Sequence, residues 1–280
     1  VRRSLFITVI LALLFSSATS LAADKNMIFC LTGFPGTTAQ AQQAIDNFLR
    51  HVENVLGWPA NSASGAFYPD PVQGSSHLKN DSPSLAVVTP DLYLSLHKEL
   101  KMKIIAKVKA AGRGEEQYSI VVSKAKIKSL AELKGKKVAG AVLYNPTFVT
   151  NILFGGEIKA SDVTLVNEPR PLSGLRSVNK GEVDAAVVDR SVLAHMASLP
   201  FAADLAVIHT STTLPLPVVV ALPGGAKYIG AFKAKMSDLC GAPEGKTVCE
   251  AAQLESIEPA NESDYKSLTC LYEGKPCGKR

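Results

Sequence analysis

Aromatic side chains are scarce in this chain. They make up 6% of its 280 residues, and the single tryptophan, Trp58, stands outside every motif described below. There is no Arg-rich run, and basic residues are not interleaved with aromatics. The net charge of +5 therefore reads as a solvated basic surface, and no nucleic-acid partner is expected. The HExxH, P-loop and dinucleotide fingerprints are missing, as is the G-x-S-x-G elbow. The five histidines (His51, His77, His97, His195 and His209) have no plausible nucleophile beside them in sequence. These absences exclude the usual hydrolase, nucleotide and zinc-peptidase chemistries, so no enzyme, no cofactor and no metal are expected. Solenoid repeats and low-complexity tracts are also missing.

What is present begins at the N-terminus. Arg2 and Arg3 precede an apolar run from Leu5 to Phe15, followed by small residues and Leu21-Ala22-Ala23-Asp24. This is the layout of a signal peptide over residues 1–23, cut near Ala23. The apolar run is short for a membrane span, although an uncleaved anchor is the alternative. The mature chain is expected to be exported, periplasmic and soluble. Cys240, Cys249, Cys270 and Cys277 crowd the C-terminus, which in an exported chain favours two disulfides. Four cysteines allow three pairings, and the sequence does not choose among them; the local one is Cys240–Cys249 with Cys270–Cys277. Zinc is the competing idea, but the spacings are not CxxC-like and no histidine lies nearby. Cys30 reads as a buried free thiol.

Along the chain, strand and helix patterns alternate. Asn26 to Leu31 is a continuous apolar run suited to a central strand. A glycine-containing loop follows, then a helix from Ala39 to Leu56 with Ile45, Phe48, Leu49 and Val52 on one face. Residues 57–84 are rich in Pro, Gly and Ser and read as loop, with a short strand at Gly65–Tyr68. Strands are expected at Leu85–Val88, Ile104–Val108, Tyr118–Ser123, Val138–Gly140, Asp162–Val166, Val183–Val188, Leu205–His209 and Val218–Leu222. Between them, Pro90 opens a helix running to about Glu99. Ser129 and Glu132 form an expected capping box, and Asn145-Pro146 starts a helix stopped by Gly155-Gly156. Further helices cover Leu172–Lys180, Arg190–Leu199 and Gly230–Leu239, and a cysteine-rich tail closes the chain. Polar breaks near 112–116 and 210–217 suggest two α/β lobes joined by two crossings. The expected boundaries are 24–112 and 210–280 for lobe one and 113–209 for an inserted lobe two.

Four stretches carry a resemblance: VVSKAKIKSLAELKGKKVAG, SVNKGEVDAAVVDRSVL, TLPLPVVVALP and IEPANESDYKSL. In this order and spacing the chain resembles phosphonate/phosphate-type periplasmic binding proteins of ABC importers. The resemblance implies a type II, transferrin-like α/β fold whose two lobes close on a small, oxyanionic ligand. The implied partner is a membrane ABC permease, or alternatively a sensor kinase, served by a monomer. An exported enzyme on the same scaffold is a further rival. An anion between the lobes would meet helix N-termini. The candidates are Gly36, Thr37 and Thr38; Thr89; Asn145 and Thr147; and Asp189 with Arg190. Phe34, Tyr93, Tyr118 and Tyr144 lie near these loops, though an aromatic at a strand end is more often core. Asp189 ends an apolar strand, where it could accept from a ligand, pair with a ligand cation, or cap the next helix. Arg190 and Arg113 could each make bidentate contacts to an oxyanion.

Overall fold

The alternating apolar runs build two mixed sheets in the computed structural model, which describes residues 25–34 and 36–277. The segment read as a signal peptide lies outside the described residues. No helix among the described residues is long and apolar enough to cross a membrane. The first sheet has the order β11-β4-β10-β3-β1-β2. Its strands are β1 (Lys25–Cys30), β2 (Ala63–Tyr68), β3 (Leu85–Val88), β4 (Lys103–Ala110), β10 (Val218–Ala221) and β11 (Leu254–Pro259). β2 and β3 flank β1 in parallel, whereas β10 runs antiparallel between β3 and β4. The second sheet, β7-β6-β8-β5-β9, uses β5 (Ser119–Ser123), β6 (Lys137–Gly140), β7 (Thr164–Asn167), β8 (Ala185–Val188) and β9 (Leu205–Thr210).

Successive side chains of β1 point to opposite faces, and each face meets its own core. Met27 and Phe29 pack with Ile45, Phe48, Leu49 and Val52 of α1 (Thr38–Leu56) and with Phe232 and Leu239 of α7 (Ile229–Gly241). Ile28 and Cys30 face α2 (Pro71–Asn80) and α3 (Pro90–Leu96), through Leu78 and Leu92. That second core runs without interruption into the second sheet, through Ile120, Val122 and Val138. It also takes in α4 (Pro146–Phe148), which continues as a π-helical turn over Val149–Leu153. The far face of the second sheet, including Val121 and Ala186, packs on Leu175 and Val178 of α5 (Pro171–Lys180) and on α6 (Arg190–Met196).

Local chemistry explains most of the element boundaries. Thr37 caps α1 in a capping box with Gln40. Asn145 caps α4 by accepting from the Thr147 and Phe148 amides at 3.0 and 3.1 Å. Gly135 takes φ of 75°, a left-handed conformation costly for other residues, and so ends the turn before β6.

Four expectations require correction. The Ser129–Glu132 capping box does not form. Residues Leu130–Leu133 make a single 3-10 turn, the Glu132 amide bonds to the Ser129 carbonyl, and the Ser129 hydroxyl instead donates to Glu132 Oε1 at 3.0 Å. The loop block 57–84 contains α2, capped by Asp70 with Pro71 in its first turn. Gly74 sits in this helix because a Cβ there would lie 1.8 Å from Cys30 Sγ. The C-terminal tail is ordered as α8 (Pro243–Ala251), β11 and α9 (Glu262–Tyr272). Finally, Cys270 and Cys277 are free thiols. Gly274, at φ of 64°, folds the tail back, leaving Cys277 Sγ on the Ser267 carbonyl at 3.3 Å.

Cys240 and Cys249 form the expected disulfide, joining α7 to α8 across a sequence separation of nine residues. Closing so short a loop in the unfolded chain stabilises the fold by about 2–3 kcal/mol. Reduction should therefore lower the melting temperature by several degrees, and a Cys240→Ser/Cys249→Ser chain should melt at the reduced value in either buffer. Cys30 is fully buried, and burial pushes its thiol far above the ordinary range, so it remains an inert small apolar group.

Candidate ligand-binding cleft

Two crossing segments join the sheets. Residues 111–118 lead from β4 to β5, and 211–217 return from β9 to β10. They are laced together: the Glu116 amide donates to the Leu214 carbonyl at 3.0 Å and the reverse bond is 2.7 Å, while the Ser211 amide donates to the Tyr118 carbonyl at 2.8 Å. Above this ladder a cavity of about 50 Å³ opens between the sheets. Thr32 and Phe34 from the β1–α1 loop and Thr89 from the β3–α3 turn form one wall. Val142 and Asp189 from the second sheet form the other, and Arg113, Glu116 and Tyr118 come from the first crossing. An outer mouth of about 570 Å³ adds Gly36 and Asp70 on one side and Arg170 and Ser191 on the other.

Among the described residues Arg113 is the single cationic side chain lining the inner cavity, and its guanidinium carbon lies 4.2 Å from the centre of the Phe34 ring. Glu116 and Asp189 each use one carboxylate oxygen structurally. Glu116 Oε1 accepts from the Arg190 and Gln117 amides at 2.8 and 2.9 Å. Asp189 Oδ1 accepts from Ser191 Oγ at 2.6 Å and from the Val192 amide at 2.8 Å, capping α6. Burial raises the Glu116 carboxyl above the ordinary range, with the Asp189 charge adding to it. Tyr118 is held protonated by burial and by the surrounding carboxylates.

Beneath the cavity, Asp91 is 1% exposed. Its Oδ2 accepts from Thr32 Oγ1 at 3.0 Å and from the Tyr144 hydroxyl at 2.6 Å, and Thr89 Oγ1 donates to Thr32 Oγ1 at 3.1 Å. The network joins the first sheet's helix α3 to the loop after β6 in the second sheet.

Phe34, Thr89, Tyr118 and Asp189 thus meet in the inner cavity, and Gly36 lies at the mouth. The remaining candidates stand elsewhere. Thr37 is spent on its cap, and Thr38 Oγ1 donates to the Phe67 carbonyl at 2.6 Å. Tyr93 is core, 3% exposed and packed edge-on against Tyr265. Tyr144 and Asn145 are engaged by Asp91 and Tyr272, and Thr147 is exposed. Arg190 is exposed, its guanidinium bound to Gln117 Oε1 at 2.8 Å. Sequence reasoning missed Thr32, Asp91 and Glu116. Asp91 carried a signal, as an acidic residue directly after a buried strand and a helix-opening proline. Glu116 was hidden in a polar stretch that read as solvated linker. Among the described residues no cluster of three or more His, Cys, Asp or Glu side chains could hold a metal.

Residues 34–265 match the family described as ABC transporter, phosphonate, periplasmic substrate-binding protein. The chain belongs to this family. No curated protein matches it in sequence. Among solved structures, this phosphonate-family chain is similar to XAC2383 from Xanthomonas citri bound to ATP, at 14% identity and a TM-score of 0.70, with 90% of this chain and 97% of the other covered. It is also similar to a binding protein component of the ABC phosphonate transporter from Pseudomonas aeruginosa, at 15% identity, a TM-score of 0.62 and coverages of 88% and 84%. A third is PhnD1 from Prochlorococcus marinus in complex with methylphosphonate, at 12% identity, a TM-score of 0.60 and coverages of 90% and 98%. At these identities the likeness establishes the fold, the two-lobed α/β architecture of periplasmic binding proteins. The family is one of substrate-binding proteins, not enzymes.

Proposed function

We propose that this chain, released from its 1–23 leader near Ala23, captures a small phosphonate-like ligand between its lobes and delivers it to an ABC permease. The lobes are taken as 24–112 with 210–280, and 113–209. The observation that carries the reading is Arg113, the one cationic residue among the described residues lining a small inner cavity that Thr89 and Tyr118 also line. A guanidinium can grip an oxyanion with two charge-assisted bonds. The cavity volume is a few times the 10–15 Å³ or so that one water requires, which suits a compact head group; a nucleotide would need the mouth as well.

The carboxylates refine the ligand. Glu116 and Asp189 line the same cavity as Arg113, so a bare dianion would be repelled there. A head group on Arg113 with an ammonium toward Glu116 and Asp189 satisfies all three. Titration calorimetry with 2-aminoethylphosphonate, methylphosphonate, phosphate and phosphite tests this. The aminophosphonate should bind most tightly, and absence of binding by all four removes the reading.

The pH dependence follows from the raised Glu116 carboxyl. Ionised Glu116 is needed for the ammonium, so aminophosphonate affinity should fall on acidification, beginning above the pH at which an ordinary glutamate titrates. Glu116→Gln should flatten that limb. Stability has the opposite sign: a raised native carboxyl means the folded state holds its proton more tightly, so this residue's contribution declines as pH rises through the native value.

A further inference from the structure

Besides the cleft, the first lobe holds a second hollow that the capture reading does not use. It has a volume of about 230 Å³ and lies between the first half of α1 and the turn joining α8 to β11. Four of the chain's ten phenylalanines, Phe29, Phe34, Phe48 and Phe67, line it, and among the described residues no charged one does. Its polar rim is limited to Gln40 and Gln253, and Gln40 is fixed by the Thr37 amide, which donates to its side chain at 2.9 Å. The floor opens toward a smaller void of about 20 Å³ whose lining is wholly apolar and which shares Phe29, Leu31, Phe48 and Leu254 with it.

A concave, phenyl-lined hollow with two polar groups at its rim has the lining of a small-molecule site. An apolar cavity of about 150 Å³ is enough to hold benzene, so this one accommodates a single aromatic ring or a short alkyl chain. Its position gives it a further property. Phe34 lines the hollow, the mouth and the inner cavity alike, and the same ring carries the Arg113 guanidinium at 4.2 Å.

We infer that the first lobe contains a second ligand site that takes a neutral aromatic or short alkyl group, and that its occupancy is transmitted to the cleft through the Phe34–Arg113 stack. The first half of this statement does not depend on what the cleft binds. Coupling of this kind is reciprocal, so whatever shifts Phe34 from one side is felt on the other.

Benzene is the probe. Titrated into the full-length mature protein, it should shift the aromatic resonances of Phe29 and Phe48 saturably, and the Arg113 side-chain Nε–H resonance should move along the same binding curve. Ala44 and Ala252 are half-buried alanines on opposite walls. Ala44→Phe should fill the hollow and weaken benzene at least tenfold, and Ala252→Phe should do the same from the other side should the α1 change impair folding. The site is overturned by the absence of saturable shifts, or by saturable shifts that survive whichever filled variant folds. The transmission is overturned if benzene saturates Phe29 and Phe48 while Arg113 stays still. Because no phosphonate is present, neither failure can be mistaken for a wrong assignment of the cleft ligand.

Discussion

Arg113→Met should raise the dissociation constant for the preferred phosphonate by roughly thirtyfold to several-thousandfold. Removing one partner of an enclosed, hydrogen-bonded charge pair costs about 2–5 kcal/mol, and each 1.4 kcal/mol or so is a factor of ten. The fold should tolerate the change. Arg113 is half-exposed, and its packing on Phe34 contributes about 0.5–1 kcal/mol. Arg190→Met is the matched control, because that guanidinium is exposed and already bound to Gln117; its affinity should stay within about twofold. Calorimetry on both variants decides the matter. Wild-type affinity in Arg113→Met would remove the oxyanion contact from this residue, and a large loss in Arg190→Met would move it to α6.

Asp91→Ala should lose about 3 kcal/mol of stability, the second large effect. Two donors, Thr32 and Tyr144, converge on one buried carboxylate oxygen, and each hydroxyl left without an acceptor costs about 1–3 kcal/mol. The phenol does not escape by ionising, since burial, the largest cause of its raised value, remains when Asp91 is gone. Asp91→Asn keeps an acceptor oxygen in place and should lose less than half as much. Urea unfolding of the two variants supplies the comparison. Since Tyr144 reaches Asp91 from the loop after β6 of the second sheet, Asp91→Ala should also enlarge the radius of gyration of the ligand-free protein in solution scattering.

The sequence made some of this plain and concealed the rest for identifiable reasons. The apolar stripe Ile45, Phe48, Leu49 and Val52, and the helix start at Asn145-Pro146, are local signals, and they appear where expected. Helix α2 was obscured because Gly74, Ser75 and Ser76 are poor helix formers, although Asp70-Pro71 is a proper helix start. Strand β11 was obscured by its charges: Glu255 and Glu258 face Lys109 and Lys107 of β4 at 2.5 and 3.2 Å, so the segment reads as polar tail while pairing as an edge. The Asp91 network joins residues 59 and 53 positions apart, and no periodicity reports on such distances. Of the candidate contacts, those outside the cavity, such as Thr38 and Tyr93, sit in the first turns of helices that follow β1 and β3 but are spent in the core or on a neighbouring carbonyl.

The strand order of the first sheet has a consequence for how the chain is assembled in time. β4 lies between β10 and β11, both of which are made more than a hundred residues later, whereas every strand of the second sheet falls within residues 119–210. The second sheet can therefore close while β3 and β4 still expose unpaired edges, and those edges are joined only when Val218–Ala221 arrives between them. Such long-range pairing is slow, and open strand edges are prone to aggregate. Refolding from denaturant should therefore be biphasic under pulsed hydrogen exchange, with amides of β5 and β8 protected before those of β3, β4 and β10.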